Sequence, residues 1–175
     1  MENYKELPQL GMGEAIKLAS SRLTDFKGRS RRSEFWWWML IVLVVNFVLS
    51  WFITNMLVSA IGSIVVMFLG LAVTARRLQD VGKSATWVYA SYGLGIIYQI
   101  LIATSDVMAK YIEVAQSGNI DKLMAFAEAN ASSFLLIGLV SLLWFISCLI
   151  VFIFTLMDGK PEPNKYGPSP KYVEA

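Results

Sequence analysis

The chain has 175 residues, one domain's worth, of which 56% are hydrophobic and only 16% charged. Soluble domains carry about 25% charged residues, and a chain this short buries only about 70% of its surface, so a water-soluble fold cannot hide the apolar surplus. The single cysteine, Cys148, excludes an intrachain disulfide scaffold, the lack of histidine excludes a Ser-His-Asp triad and histidine metal sites, and a net charge of +2 on so apolar a chain excludes disorder.

In chain order, residues 1–34 are polar and open on no apolar leader stretch, so no signal peptide is expected. Within them, residues 13–26 place Ile16, Ala19, Leu23 and Phe26 on one helical face, predicting a short amphipathic helix. Such a helix either lies in the membrane interface or packs on the protein itself, and the pattern leaves both open. Residues 35–75 then run for 41 positions without a charge. A crossing takes about 20 residues, so this is two spans, 35–53 and 56–75, with a turn near Thr54-Asn55. Charge gaps predict a third span over 86–104 and a fourth over 133–156. Between them, 106–131 reads as two short helices parted at Ser117-Gly118-Asn119, capping one end of the bundle. The tail, 158–175, holds four of the five prolines and is expected to be extended and irregular. The expected fold is a single all-α integral membrane domain over 1–175, a four-span helix bundle with an N-terminal amphipathic helix and a short helical outer segment.

Orientation follows from the cations. Thirteen of the 15 Lys and Arg flank one side of these spans, and only Lys110 and Lys122 flank the other. The positive-inside rule then predicts that both termini are cytoplasmic. Trp36, Trp37 and Trp38 at the start of the first span and Trp87 at the start of the third fit an interfacial aromatic belt on that side.

The spans carry no ionisable group of the kind that pumps and transporters place at depth. They carry mild polarity at helical spacing: Asn46, Ser50 and Thr54, then Ser91, Gly95 and Gln99, beside a lean row of Gly62, Val66, Gly70 and Thr74. Helix packing through small residues explains these rows better than a polar conduit. Asn46 and Gln99 fall at similar depths and are expected to bond to each other or through one shared neighbour, closing the bundle centre. No phosphate-binding loop, zinc-ligand spacing or nucleophile elbow occurs, so no catalytic residue, metal or cofactor is expected and the chain does not read as an enzyme. Cys148, in an apolar run, reads as an inert small hydrophobe.

Two polar blocks stand out on the basic side, FKGRSRRSEFWWW from Phe26 and ARRLQDVGKS from Ala75. The candidate lipid or partner site is Arg29, Arg31, Arg32, Glu34, Arg76, Arg77, Asp80 and Lys83. Because the first hairpin returns its two ends to one depth, Glu34 is expected to pair with Arg76 or Arg77, and Asp80 with Arg29, Arg31 or Arg32. Charge reversal at Glu34 would then be offset by a matched reversal at Arg76 or Arg77.

Together with the tail block Asn164-Lys165-Tyr166-Gly167-Pro168-Ser169-Pro170, these two blocks make residues 22–170 resemble the domain-of-unknown-function 805 family of small bacterial inner-membrane proteins. The sequence departs from the family pattern at Gln79, where the pattern has histidine, and at Ala85-Thr86-Trp87, where it has Gly-Trp; its outer segment is also longer. The resemblance implies a bacterial multi-pass inner-membrane protein and no particular activity. The functional expectation is a non-enzymatic protein binding anionic lipid head groups, a membrane-protein partner or a second copy at its basic cytoplasmic face, and no nucleic acid. The alternative is a small oligomeric transporter or channel using the uncharged polar stripes.

Overall fold

The computed structural model describes residues 4–175; residues 1–3 of the expected N-terminal segment lie outside the described residues. A short strand β1 (Tyr4–Glu6) leads to helix α1 (Met12–Ser21). Four long helices follow the charge gaps: α2 (Arg32–Phe52), α3 (Met56–Asp80), α4 (Thr86–Thr104) and α7 (Ala131–Leu156). Each is long and apolar enough to cross a membrane. Between α4 and α7 lie α5 (Asp106–Gln116) and α6 (Ile120–Ala129), and strand β2 (Tyr172–Glu174) closes the chain. The architecture is the all-helical four-span bundle that the hydropathy pattern predicts.

Local chemistry sets the boundaries. Asn55 breaks the first hairpin and caps α3, its Oδ1 accepting from the Val58 amide at 3.0 Å. Ser105 and Asn119 cap α5 and α6 in the same way, each satisfying an amide that the helix leaves orphaned. Gly118, at φ +67°, makes the reversal between α5 and α6 where the sequence places a helix stop.

Two expectations for the segments outside the spans need correction. The amphipathic helix ends at Ser21 rather than Phe26, because Asp25 turns the chain: its carboxylate accepts from Arg22 at 2.9 Å and from the Lys27 amide at 3.0 Å. Both hydrogen bonds, the Lys27 amide's above all, hold Asp25 below its usual carboxylate pKa. The tail is not wholly irregular either. β2 pairs antiparallel with β1, Tyr4 opposite Glu174 and Glu6 opposite Tyr172, and so ties the two ends of the chain together.

In sequence order the helices pack as a ribbon, α1 on α2, α2 on α3, α3 on α4 and α4 on α7, with α3 also reaching α7. α1 therefore packs on protein: Ala15 and Ala19 are buried, and Ile16 and Leu23 pack against the cluster around Phe35 and Trp38. The buried Trp38 indole donates to the Leu69 carbonyl at 2.7 Å, joining α2 to α3. Glycines let the helices come close. Any side chain on Gly95 would meet Met67 of α3 and Trp144 of α7, and one on Gly70 would meet Tyr92 of α4.

The expected Asn46–Gln99 contact does not form. α3 stands between α2 and α4, so the two amides belong to helices that are not packed neighbours. Of the polar rows, Ser91 bonds across to Cys148 of α7 at 3.3 Å and Gly95 makes the close approach just described, whereas Ser50 is exposed and bonds back to the Phe47 carbonyl. Gln99 is half-buried, and so is Asn46, which lines a cleft described below.

Gly95→Val should therefore overpack the α3–α4–α7 junction, at about 1–3 kcal/mol. Gly138→Val, on an α7 surface with open space around it, should be silent. Thermal unfolding of both variants in detergent checks this; equal transitions would refute the close packing.

Candidate functional site

The core of this protein is concentrated at one end of the bundle. Every residue of α3 from Ala72 to Asp80 is buried, and the largest fully buried side chains include Arg76, Arg77, Glu34 and Asp80. An isolated charge out of water costs far more than a helix contact returns, so each must find partners inside. All of them do.

Arg76 donates from Nη2 to Glu34 Oε1 at 3.2 Å, from Nε to Ser30 Oγ at 2.9 Å, and from Nη1 to the Arg22 carbonyl at 2.7 Å and to that of Asp25. Arg77 and Arg29 share Asp80. Arg29 Nε reaches one carboxylate oxygen at 2.8 Å while Arg77 Nη1 takes the other. Arg77 then donates to the Thr155 and Met157 carbonyls at the end of α7, which the helix itself leaves without partners. Arg29 donates to the carbonyls of Lys160, Glu162 and Gly167 in the tail. Arg31 reaches back to the Pro8 carbonyl at 2.7 Å and that of Leu7 at 3.3 Å. Among the described residues four buried guanidinium groups thus meet only two buried carboxylates, and the Ser30 hydroxyl with backbone carbonyls makes up the difference. Glu34 also lies in the first turn of α2 and Arg77 in the last turn of α3, where the helix dipoles favour their charges.

The two expected pairings are both present, Glu34 with Arg76 and Asp80 with Arg29. The structure brings all eight candidate residues to one end of the bundle, but it turns six of them inward. Arg29, Arg31, Glu34, Arg76, Arg77 and Asp80 form a clasp whose hydrogen bonds are internal, so an open basic surface made from them is not what the chain presents. Lys83 is half-buried, its Nζ 5.1 Å from the centre of the Phe154 ring. Arg32 alone of the clasp's arginine run points outward. Gln79, whose Nε2 donates to the Phe26 carbonyl at 3.1 Å, keeps a buried Oε1 without a partner among the described residues.

Outside the clasp, two recesses adjoin. The smaller, of about 420 Å³, is polar and sits at the basic end, lined by Glu6, Gln9, Arg31, Arg32, Ser33, Trp36, Trp37, Asp158 and Lys171. Its charges alternate: Arg32 lies 3.2 Å from Asp158, and Lys171 lies 3.6 Å from Asp158 and 3.4 Å from Glu6. Burial pushes the Asp158 carboxyl up, but Arg32 and Lys171 outweigh it and hold the group below its usual pKa. Lys171 is raised, chiefly through its contact with Tyr172 and then by Asp158 and Glu6, against a little burial. The larger recess, of about 980 Å³, is an apolar cleft between α2 and α7, floored by α3 and α4, with Asn46, Thr74, Ser91 and Tyr92 among its lining. Trp36 and Trp37 belong to both recesses. The polar recess was not legible in the sequence, because Glu6, Asp158 and Lys171 are remote from one another along the chain: the β1–β2 pairing brings Lys171 beside Glu6, and the tail held by Arg77 and Arg29 brings in Asp158.

Residues 23–168 match the family described as protein of unknown function (DUF805). The chain belongs to this family. No curated protein and no solved structure is found to match it. The DUF805 region encloses all four spans and the clasp side chains, whereas α1, β1, β2, Glu6 and Lys171 fall wholly or mainly outside it. The clasp is thus built within the DUF805 region, and the alternating recess is completed from beyond its two ends.

Removing one partner of a buried pair costs about 3–5 kcal/mol. Glu34→Ala should therefore lower the unfolding temperature in detergent and the amount of protein accumulating in membranes. The matched exchange Glu34→Arg with Arg76→Glu should not restore either quantity, because a glutamate at 76 would face two carbonyls to which the guanidinium now donates. Recovery by the exchange would mean that the pair acts as charge alone. A second prediction concerns Gly159, where a Cβ would run into the Asp80 carboxylate. Gly159→Ala should destabilise the fold on the scale of Glu34→Ala, and an unchanged unfolding temperature would show the tail to be loosely held.

Proposed function

We propose that this DUF805 protein resides in a bacterial inner membrane with both termini cytoplasmic, and binds phospholipid head groups at its cytoplasmic end without catalysing a reaction on them. The observation that carries the proposal is the polar recess beside Trp36 and Trp37, whose cations Arg32 and Lys171 are not consumed by the clasp: the Arg32 side chain remains 46% exposed. Tryptophans at the head of a membrane-spanning helix sit at head-group depth, so lipid phosphates reach these cations from the bilayer. The sidedness rests on the distribution of charge, with Lys110 and Lys122 on the α5–α6 end and the remaining lysines and arginines at the other.

The close packing of Gly70 and Gly95 against Tyr92, Met67 and Trp144 favours this reading over a conduit through the bundle. A solute flux across liposomes carrying the purified chain would reverse that preference. The head-group reading is tested by native mass spectrometry of the purified protein. Phospholipid should be retained, and Arg32→Gln with Lys171→Gln should reduce the retained lipid at least fivefold; unchanged retention refutes it, and a co-purifying protein lost in the same variant points instead to a protein partner.

Topology is tested separately. Single cysteines at Ser117 and at Ala175, in a Cys148→Ala background, should react with an impermeant reagent from opposite sides of the membrane, Ser117 from the outside. Labelling of both from the outside would overturn the orientation.

A further inference from the structure

Resting on that head-group reading, we infer that the two adjoining recesses form one lipid site selective for a phospholipid with a primary ammonium head group, its acyl chain lying in the α2–α7 cleft. Two features of the structure carry this inference. The polar recess is not a basic pocket. Arg32 and Lys171 alternate around it with Asp158 and Glu6, and their separations of 3.2–3.6 Å are loose enough to be exchanged for ligand contacts. A purely anionic head group would satisfy the two cations and leave both carboxylates facing a phosphate. A zwitterion meets all four: the phosphate bridges Arg32 and Lys171, and the ammonium donates to Asp158 and Glu6. A quaternary ammonium has no N–H to donate, so the carboxylates favour the primary amine.

Continuity supplies the second feature. The cleft begins where the recess ends, at Trp36 and Trp37, and runs along α2 to Ser50. That is about 21 Å of helix, longer than one leaflet's share, about 15 Å, of a roughly 30 Å hydrocarbon core. Its volume of about 980 Å³ lies at the upper end of ligand pockets. Its walls are apolar, with Leu43 65% and Phe47 61% exposed along α2, and at its head Trp36 of α2 touches Phe152 of α7, ring centres 6.0 Å apart. A chain entering sideways from the bilayer needs no opening of the bundle.

The test uses the full chain in detergent, offered equimolar phosphatidylethanolamine, phosphatidylglycerol and phosphatidylcholine of identical acyl composition, with bound lipid read by native mass spectrometry. At least a fivefold preference for phosphatidylethanolamine over each of the others is expected. Asp158→Asn with Glu6→Gln should abolish that preference and raise phosphatidylglycerol binding, while Arg32→Gln with Lys171→Gln should lose all three lipids. These four side chains lie outside the clasp, and an unchanged unfolding temperature in each variant establishes that the fold persists. Glycerophosphoethanolamine, which lacks acyl chains, should fail to compete at a hundredfold excess. Phosphatidylglycerol bound as well as phosphatidylethanolamine, yet still dependent on Arg32 and Lys171, overturns the selectivity and leaves the head-group reading standing. Lipid binding indifferent to all four residues overturns both. Competition by the chain-free head group overturns the role of the cleft.

Discussion

A guanidinium taken out of water keeps its charge and its five donors, and four of them lie buried at one end of this bundle. Arg29, Arg31, Arg76 and Arg77 are each no more than 5% exposed. Burial on that scale is tolerated only with full pairing and hydrogen bonding, and two carboxylates are too few to provide it. The remainder comes from the Ser30 hydroxyl and from main-chain carbonyls at Leu7, Pro8, Arg22, Asp25, Thr155, Met157, Lys160, Glu162 and Gly167. Apart from the bond to Thr155 in the last turn of α7, each fixes a stretch of loop or tail that has little apolar surface of its own to bury. The arginines therefore do for the termini what a hydrophobic core does for helices.

The consequence is an asymmetric molecule. At the clasp end α3 is buried on all sides, whereas α7 contributes only Val151 and Thr155 to the buried set and α5 and α6 contribute none. Between α2 and α7 the bundle stays open, because α3 and α4 intervene, and Trp36 and Phe152 touch at the head of the gap. In a soluble protein an apolar cleft of this size would collapse or draw in a partner. In a bilayer lipid is as apolar as leucine, so no hydrophobic pressure closes it, and the clasp can hold one end of the bundle without the cleft having to close.

Hydropathy made the spans legible, since the cost of a charge at depth leaves a blunt mark in sequence. The four long helices lie within a few residues of the charge gaps, and the break at Ser117-Gly118-Asn119 separates α5 from α6. The Glu34–Arg76 and Asp80–Arg29 pairs were legible because a tight hairpin at Asn55 returns both ends to one depth. Their depth of burial was not. Charge counting treats every cation beside a span as an anchor in water, and nothing in FKGRSRRSEF says that Arg31 turns in while Arg32 turns out. Asn46 and Gln99 show the complementary failure: equal depth does not imply contact, because depth leaves the angular order of the helices undetermined, and α3 stands between them. The β1–β2 pairing was hidden for another reason, because three-residue strands carry no periodicity to read.

The clasp and the proposed lipid site are connected through that same tail. Arg77 holds Met157, and Arg29 holds Lys160, Glu162 and Gly167, so Asp158 between them is placed against Arg32 as a result of bonds made elsewhere. Gly159 permits this, since the chain passes the Asp80 carboxylate too closely for any side chain. Lys171 is carried in by β2, whose register on β1 also brings Glu6 alongside it. The buried arginines are thus positioning residues for a recess that only Arg31 of them lines, through a side chain already committed to Leu7 and Pro8. Such a division suits a site at a fluid surface. The groups of the proposed site, exposed at Arg32, Asp158 and Glu6 and half-buried at Lys171, are loosely paired and free to exchange partners, while the charges that hold their backbone in place are sealed where neither water nor lipid phosphate competes for them.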